Sequence, residues 1–520
     1  MRTLVDGAVE DGDAVVAETG RARRLPAWVA PVVLAAAVGV GIVLRFVQRS
    51  PLWLDEALSV NIAELPPGDL LDALRHDGHP PLYYLVLHYW MKAFGQGDVA
   101  VRALSGLFAV AALPLAWVAG HRLAGRSGAR WAVIVVALSP FWVRYATETR
   151  MYSLVMLLVL AGYLLIVDAL GEPRLWRLVA IWLISGVLLL THYWSFYLLA
   201  TVVALLAVRW WRQPADRPTT VRVGLAVAAG GLLFLPWLGG FLYQAGHTGT
   251  PWGEPFRPTA VLQTTMTDFG GGEVTEAALY GAVVLVLVLV ALFTVRSSDH
   301  EMALDLRTAP VVRWELAAVG LVLLLGSVAG YATNATYQSR YAAVVAPLVL
   351  LGVAVGITRV PGVGRLLVGL VYVALSLGGI LWVNYYQRSQ SELVGGAVAA
   401  RAQPGDVVVY CPDQLGPAYS REMPEGLVEL SYPALTPPER VDWVDYAERN
   451  GAADPAAIAP EILAKADGHA VFLVWMNEYR TYGQQCESLV EALGLTGTLV
   501  VQDASRYFEP AFVHWRPASP

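Results

Sequence analysis

Residues 27–47 form an apolar stretch ending Ile42-Val43-Leu44-Arg45-Phe46-Val47, and six residues later comes Trp53-Leu54-Asp55-Glu56. About twenty apolar residues are what a helix needs to cross a bilayer core of ~30 Å. Two adjacent carboxylates at the exit of such a span are costly to place, and ionisable groups at membrane depth are functional by default. Asp77-Gly78-His79-Pro80-Pro81-Leu82-Tyr83-Tyr84 follows within the same loop. This reading makes the chain a membrane protein with chemistry at the mouth of its first span.

The rest of the chain agrees. Of 520 residues, 56% are hydrophobic and 15% charged, against roughly a quarter charged in a soluble domain. Apolar stretches of spanning length recur near 101–120, 130–146, 151–169, 175–190, 194–210, 222–243, 277–295, 314–332, 340–357 and 364–384, so about eleven transmembrane helices are expected. Alternate loops are rich in arginine: Arg122, Arg126 and Arg130; Arg174 and Arg177; Arg209, Arg212, Arg217 and Arg222; Arg296, Arg307 and Arg313; Arg359 and Arg365. Positive charge stays on the cytoplasmic side. The acidic stretch Glu10–Glu18 and the cluster Arg21, Arg23 and Arg24 therefore read as a disordered cytoplasmic tail over 1–26, and not as a signal peptide. The catalytic transmembrane unit is expected over 27–388, with a large first outer loop at 48–100. Asp55, Glu56, His79, the 145–152 segment, His192 and Arg340 then share the outer face of the plasma membrane. No basic patch with interleaved aromatics points to nucleic acid.

Within the first outer loop, short helices are expected at 55–64 and 69–76. A third opens at the double proline, which suits a helix's first turn, and its aromatic character suits the membrane interface. Another short helix is expected from Pro258 to Phe269. Composition changes after residue 388. Segments 407–410, 427–430, 470–474 and 498–501 read as strands by length and β-branching, and 459–466 and 483–493 as helices. Residues 389–520 are thus expected to form an extracytoplasmic α/β domain. Its Cys411 and Cys486 are the chain's two cysteines, either bonded in an oxidising compartment or buried as thiols.

Candidate site residues fall at the outer turns. Asp55 and Glu56 point about 100° apart on a helix, so one can face a substrate while the other anchors the loop. A general base must reach the proton it takes, and Asp55 is well placed; both carboxylates are assigned to catalysis. Arg75 and His79 are suited to an anion, although Arg75 reads as solvated. Ser139-Pro140-Phe141-Trp142-Val143-Arg144-Tyr145 leads into Glu148, Arg150 and Tyr152, charges that need pairing if buried. His192 and Tyr193 mark another outer turn. Arg340, followed by Tyr341, is the best phosphate clamp, because a guanidinium binds phosphate oxygens bidentately and stays charged. No clustered metal-ligand spacing, nucleotide-binding loop or cysteine site is present; no cofactor is expected, and a divalent ion at Asp55 and Glu56 is not invoked.

Taken together, Trp53-x-Asp55-Glu56, His79-Pro80-Pro81-Leu82-Tyr83-Tyr84, Ser139-Pro140-Phe141, Glu148-x-Arg150-Met151-Tyr152, Thr191-His192-Tyr193 and Arg340-Tyr341 resemble the GT-C glycosyltransferases. Within them the chain is similar to bacterial relatives of the protein mannosyltransferases and the lipid A aminoarabinose transferases, over residues ~27–385. The resemblance implies inverting transfer of a sugar from a polyprenyl-phosphate donor at the outer membrane face. It also implies Asp55 as base, Arg340 on the donor phosphate, and His79 where relatives often carry lysine. Mannose is the first expectation for the sugar and a pentose the second. The acceptor is a hydroxyl of a protein, glycolipid or polysaccharide. Two other classes compete: a transporter or flippase for a lipid-linked sugar, and a non-catalytic homologue.

Overall fold

The computed structural model describes residues 28–250, 253–272, 274–297, 301–307, 311–477, 479–500 and 507–518; the tail expected over 1–26 lies outside them. The helices up to Tyr385 are α1 (Val29–Leu44), α2 (Leu54–Glu64), α3 (Pro67–Arg75), α4 (Leu82–Phe94), α5 (Asp98–Ala137), α6 (Pro140–Ala146), α7 (Tyr152–Gly171), α8 (Leu175–Thr191), α9 (Ser195–Arg212), α10 (Arg217–Phe234), α11 (Leu238–His247), α12 (Pro258–Phe269), α13 (Thr275–Phe293), α14 (Arg313–Thr333), α15 (Ala346–Arg359) and α16 (Gly362–Tyr385). A short hairpin, β1 (Thr294–Ser297) and β2 (Met302–Leu304), joins α13 to the chain leading into α14.

Among the described residues, seven helical stretches are long and apolar enough to cross a membrane: α5, α7, α9, Pro214–His247, α13, α14 and α16. Three shorter apolar helices accompany them, Pro31–Leu44, Leu175–Thr191 and Ala346–Arg359. The 40-residue α5 holds two expected spans, because Ala124 leaves the helical region and Gly125 takes φ +61°, where only glycine is unstrained. All eleven expected stretches are therefore largely helical.

Two boundaries differ from expectation, both at the end of the bundle that carries the site. The span expected over 130–146 stops at Ala137. The Ser139 hydroxyl accepts the Trp142 N–H and Pro140 occupies the first helical position, so a separate α6 starts there. Apolarity had concealed a capping signal. The stretch from 340 begins as a 3-10 turn, Ser339–Val344, before α15 starts at Ala346. Arg340 thus sits on a tight turn and not within a regular span.

The first loop folds as expected into α2, α3 and α4. The helix expected to lie in the interface also has an inner face: Tyr83, Tyr84, Leu87, His88 and Met91 are buried, while Tyr89 and Phe94 are 60% and 62% exposed.

Beyond Tyr385 come β3 (Gln387–Ser389), α17 (Ser391–Ala399), β4 (Val407–Cys411), α18 (Gly416–Tyr419), β5 (Val428–Ser431), α19 (Tyr446–Gly451), α20 (Pro455–Ala466), β6 (Val471–Trp475), α21 (Gln485–Ala492), β7 (Gly497–Val500), β8 (Tyr507–Glu509) and β9 (Phe512–Arg516). Five strands form a sheet in the order β5-β4-β6-β9-β7, parallel from β5 to β6 and antiparallel on both sides of β9. Strand residues alternate between faces, and here the alternation divides two cores. Val407, Val409, Val471 and Leu473 pack under Tyr432, Ile462 and Leu489. Val408, Tyr410, Phe472 and Val474 join the core continuous with the helical bundle. Cys411 and Cys486 are disulfide-bonded, tying β4 to α21. A parallel pair, β3 with β8, brings Glu509 back beside the end of α16.

Candidate functional site

The site is built on the first turn of α2. Trp53 is the N-cap in extended conformation, and Asp55 and Glu56 lie in the first turn, where exposed N–H groups favour negative charge. Successive helical positions diverge by about 100°, and the two carboxylates have opposite surroundings. The Asp55 side chain is 15% exposed. The Arg340 guanidinium, 19% exposed, places Nη1 3.1 Å from Asp55 Oδ2 and lies 5.7 Å over the Trp53 ring. That contact is an ion pair and not an aligned hydrogen bond; Oδ2 has no hydrogen-bond partner among the described residues.

Glu56 faces inward and is fully buried. Arg102 grips it with two bonds, Nε to Oε1 at 2.8 Å and Nη2 to Oε2 at 2.7 Å. The Thr149 N–H donates to Oε1 at 2.9 Å, and Arg388 Nη1 lies 3.5 Å from Oε2. Burial alone would raise this carboxyl, but the two arginines and the Thr149 N–H outweigh it and hold it below the usual range. Glu56, expected to share the catalysis, has no side open to a substrate. It ties α2 to α5, to the turn before α7 and to β3.

His79 also departs from expectation. Its Nδ1 lies 2.8 Å from Asp77 Oδ2 and its Nε2 2.8 Å from Arg150 Nη2. A guanidinium can only donate, so Nε2 accepts and Nδ1–H donates to the carboxylate. Both ring nitrogens are used, and neither is left free for a phosphate. Asp77 is buried and also accepts from Tyr84 OH at 2.8 Å. Burial would raise the Asp77 carboxyl; His79, Arg150 and Tyr84 together hold it down. The relay ends on Arg150, whose Nη1 donates to Ser59 Oγ at 3.0 Å and to the Asp55 carbonyl at 3.3 Å. Arg150 therefore braces the turn of α2 that carries Asp55. Arg75, by contrast, makes only a long, solvated pair with Asp72 at 3.7 Å.

Tyr152 and Tyr341, from other turns, lie near both members of the pair. Tyr152 is fully buried, its hydroxyl without a partner among the described residues. Its ring lies 5.7 Å from His192, which lies 5.5 Å from Tyr341. Burial lowers the His192 imidazole well below its usual value, so it stays neutral. Tyr193 points away and belongs to a supporting cluster: its hydroxyl donates to Gln244 and accepts from Trp237 Nε1, and Gln244 Nε2 holds the Leu74 carbonyl at 2.6 Å. Glu148 is buried with Oε1 unpartnered among the described residues. Burial raises its carboxyl, against the pull of Arg388 and Arg144.

Several contributors were absent from the candidates. Arg102 and Arg388 complete the Glu56 network. Asp268, from α12, pairs with Arg144 at 2.9 Å and accepts from Tyr145 OH at 3.1 Å. Glu509 accepts the Leu54 N–H at 3.0 Å while Phe508 packs edge-on against Trp53 at 5.2 Å. These partners are 46 to 455 positions distant, and no local pattern announces them. Among the described residues, no three His, Cys, Asp or Glu side chains are grouped as metal ligands.

The arrangement offers a carboxylate able to accept a proton beside a permanent cation able to hold an anion, with the rings of Trp53, Tyr152, His192 and Tyr341 nearby. Known proteins bear on it at two levels. The sequence model of the dolichyl-phosphate-mannose-protein mannosyltransferase family matches residues 78–238, which include His79, Arg144, Glu148, Arg150, Tyr152 and His192. No curated protein matches the chain in sequence. Among solved structures, the fold is similar to ArnT from Cupriavidus metallidurans bound to undecaprenyl phosphate, with TM-score 0.59 and 13% identity over 94% of this chain and 98% of that one. The apo ArnT structure gives 0.58 and 13% over 93% and 97%. The Archaeoglobus fulgidus oligosaccharyltransferase in complex with Zn and sulfate gives 0.53 and 12% over 85% and 67%. At such identities a likeness speaks for the fold alone, and the chain is a multi-pass membrane protein with the GT-C fold of those proteins.

Proposed function

We propose that the protein transfers a sugar from a polyprenyl-phosphate donor to an acceptor hydroxyl, with inversion, using Asp55 as general base. The observation that carries the reading is the Asp55–Arg340 pair, 3.1 Å apart and only part-exposed, with the base's Oδ2 lacking a hydrogen bond. A carboxylate so placed accepts the acceptor's proton as its oxygen attacks the anomeric carbon. Arg340 holds the donor phosphate and stabilises the charge that grows as the phosphate leaves, the preorganised electrostatics that usually dominates such steps. Arg150 contributes positive potential while fixing α2. The undecaprenyl phosphate bound to ArnT and the dolichyl-phosphate-mannose family description support the donor class, and the latter supports mannose as the sugar.

A lipid tail has room. An apolar hollow of about 460 Å³ lies between α7, α8, α9 and the start of α14 and α15, lined by Val159, Ile166, Leu188, Val202 and Leu348 among others. We place the site and the C-terminal sheet on the extracytoplasmic side and the N-terminus in the cytoplasm. The arginine-rich loops support this: Arg122 pairs with Asp168 at 2.8 Å and Arg209 with Asp216, at helix ends remote from Asp55. The acceptor is a protein, glycolipid or polysaccharide hydroxyl, and no cofactor is invoked because a guanidinium supplies the needed charge.

The test is direct. Purified protein in lipid nanodiscs is given radiolabelled polyprenyl-phosphate mannose and a cell-envelope extract as acceptor, with and without a chelator. Covalent label on acceptor, undiminished by the chelator, is expected. Donor bound or moved across the bilayer without any covalent transfer would overturn the proposal.

A further inference from the structure

A second hollow, of about 380 Å³, adjoins Arg102 and Thr147 and is lined by neither Asp55 nor Arg340. Arg45, Phe46, Gln48, Asp98, Val99, Glu392 and Glu422 belong to its wall, which joins the ends of α1 and α5 to the C-terminal region. Charge is graded from the inside outward. Arg45 is 1% exposed. Its Nη1 and Nη2 donate to the Ala137 and Val136 carbonyls that end α5, a favourable place for a cation. No carboxylate pairs with it among the described residues, and its Nε has no partner. Gln48 uses its oxygen on the Arg49 and Ser50 N–H groups, leaving Nε2 buried and unpartnered among the described residues. Two buried donors thus lack an acceptor among the described residues, a costly state in a folded protein.

The outer wall has the opposite need. Asp98, Glu392 and Glu422 form no ion pair among the described residues, and both of the others push the Glu422 carboxyl up after burial has done so. Of the basic groups nearby, Arg102 is committed to Glu56 and Arg421 to Asn61 and Glu64, while Arg49, also in the wall, forms no ion pair among the described residues. The three carboxylates are too dispersed to coordinate one metal ion, which leaves room for a larger organic cation. At the mouth, Phe46 and Val99 are 39% and 74% exposed beside Val47 at 41%, an apolar surface at the end of a spanning helix. A ligand matching all three features carries an acceptor group, an ammonium a few bonds away, and an apolar chain.

We propose that this hollow binds the headgroup of a membrane aminophospholipid, its phosphate oxygens facing Arg45 Nε and Gln48 Nε2 and its primary ammonium facing Asp98, Glu392 and Glu422. The lipid bridges α1 and α5 to α17 and the turn at Ser420–Glu422. Nothing in this assignment depends on Asp55 or on sugar transfer.

The test uses full-length protein in nanodiscs containing equal parts phosphatidylethanolamine, phosphatidylglycerol and phosphatidylcholine with matched chains. Native mass spectrometry then counts the lipids retained on release into detergent. One phosphatidylethanolamine is expected, enriched about fivefold over each competitor, which is about 1 kcal/mol. Phosphatidylglycerol lacks the ammonium, and the trimethylated ammonium of phosphatidylcholine has no N–H to donate. The double substitution Glu392→Gln with Glu422→Gln, on the exposed wall, removes the preference without changing the melting of lipid-free protein. Equal retention of all three lipids overturns the assignment, as does a preference that survives the double substitution. Preferential retention of phosphatidylglycerol also overturns it and reduces the hollow to an anion site.

Discussion

Replacing Asp55 by Asn isolates the proposed chemistry from the architecture. The side-chain volume and one acceptor oxygen remain, and only the charge beside Arg340 is lost. A positioned general base contributes about 10²- to 10⁴-fold in rate, equivalent to ~2.7–5.5 kcal/mol of barrier. The structural cost is smaller. Breaking a fully buried ion pair costs ~3–5 kcal/mol, but this pair is part-exposed, at 15% and 19%. Arg340 also keeps the face of Trp53 at 5.7 Å. The loss of stability should therefore be on the order of 1–2 kcal/mol. The α2 turn keeps its other supports, Arg150 to Ser59 and Glu509 to Leu54. The assay is transfer of radiolabelled sugar by nanodisc-embedded protein, read beside gel filtration, thermal melting and retention of the donor. Asp55→Asn should elute and melt close to wild type, retain donor, and turn over 10²- to 10⁴-fold more slowly. A folded variant within about threefold of wild-type turnover would refute the reasoning, since no general base of that strength can be dispensed with so cheaply.

Glu56→Gln should behave in the opposite way: Arg102 and Arg388, each with an 8% exposed side chain, lose their shared counter-charge, and ~3–5 kcal/mol of stability goes with it. Unchanged melting in detergent would remove Glu56 from its structural role. Glu509→Gln should stabilise, by an amount set by pH. Burial raises the Glu509 carboxyl well above its usual value, only partly offset by the Leu54 N–H. The folded state then holds the proton longer than the unfolded one, so stability falls as pH rises from the ordinary carboxylate range to the raised folded value. The amide can still accept from Leu54, and it removes that penalty. Melting temperature should rise by roughly 2–4 °C per kcal/mol recovered at neutral pH and match wild type in acid. A gain that persists at low pH would contradict this.

The spans were legible because membrane depth imposes one simple pattern, length and apolarity, and all eleven stretches carry it. What that pattern hid were interruptions within it. Gly125 breaks α5 at a left-handed turn, and Ser139-Pro140 restarts the chain as α6. The second was readable as a cap followed by proline, yet the surrounding apolar run outweighed it. In the site, Asp55, Arg150, Tyr152, His192, Arg340 and Tyr341 were all singled out, and contacts gather them at one end of the bundle. Their division of labour was not readable. Whether a carboxylate is left part-exposed or is gripped by buried guanidinium groups depends on Arg102 and Arg388, 46 and 332 positions away. His79 looked like an anion contact because Asp77 and Arg150 were not known to occupy its two nitrogens.

The first turn of α2 is where three parts of the molecule meet, and this explains why one helix can carry both an anchor and a base. Glu56 pulls its inner face against α5 and the turn before α7. Arg150, held by His79 and Asp77, braces its next turn through Ser59 and the Asp55 carbonyl. Glu509 reaches in from β8 to accept its first N–H, and Phe508 packs on its cap residue Trp53. The same Trp53 ring lies beneath Arg340. The C-terminal region therefore contributes to the position of both members of the proposed catalytic pair without touching either through a hydrogen bond. A side chain held in this way needs little rearrangement when charge develops, which is the condition for electrostatic preorganisation. The C-terminal region thus helps set the distance between base and phosphate clamp, so disturbing β8 should slow transfer even with Asp55 and Arg340 intact.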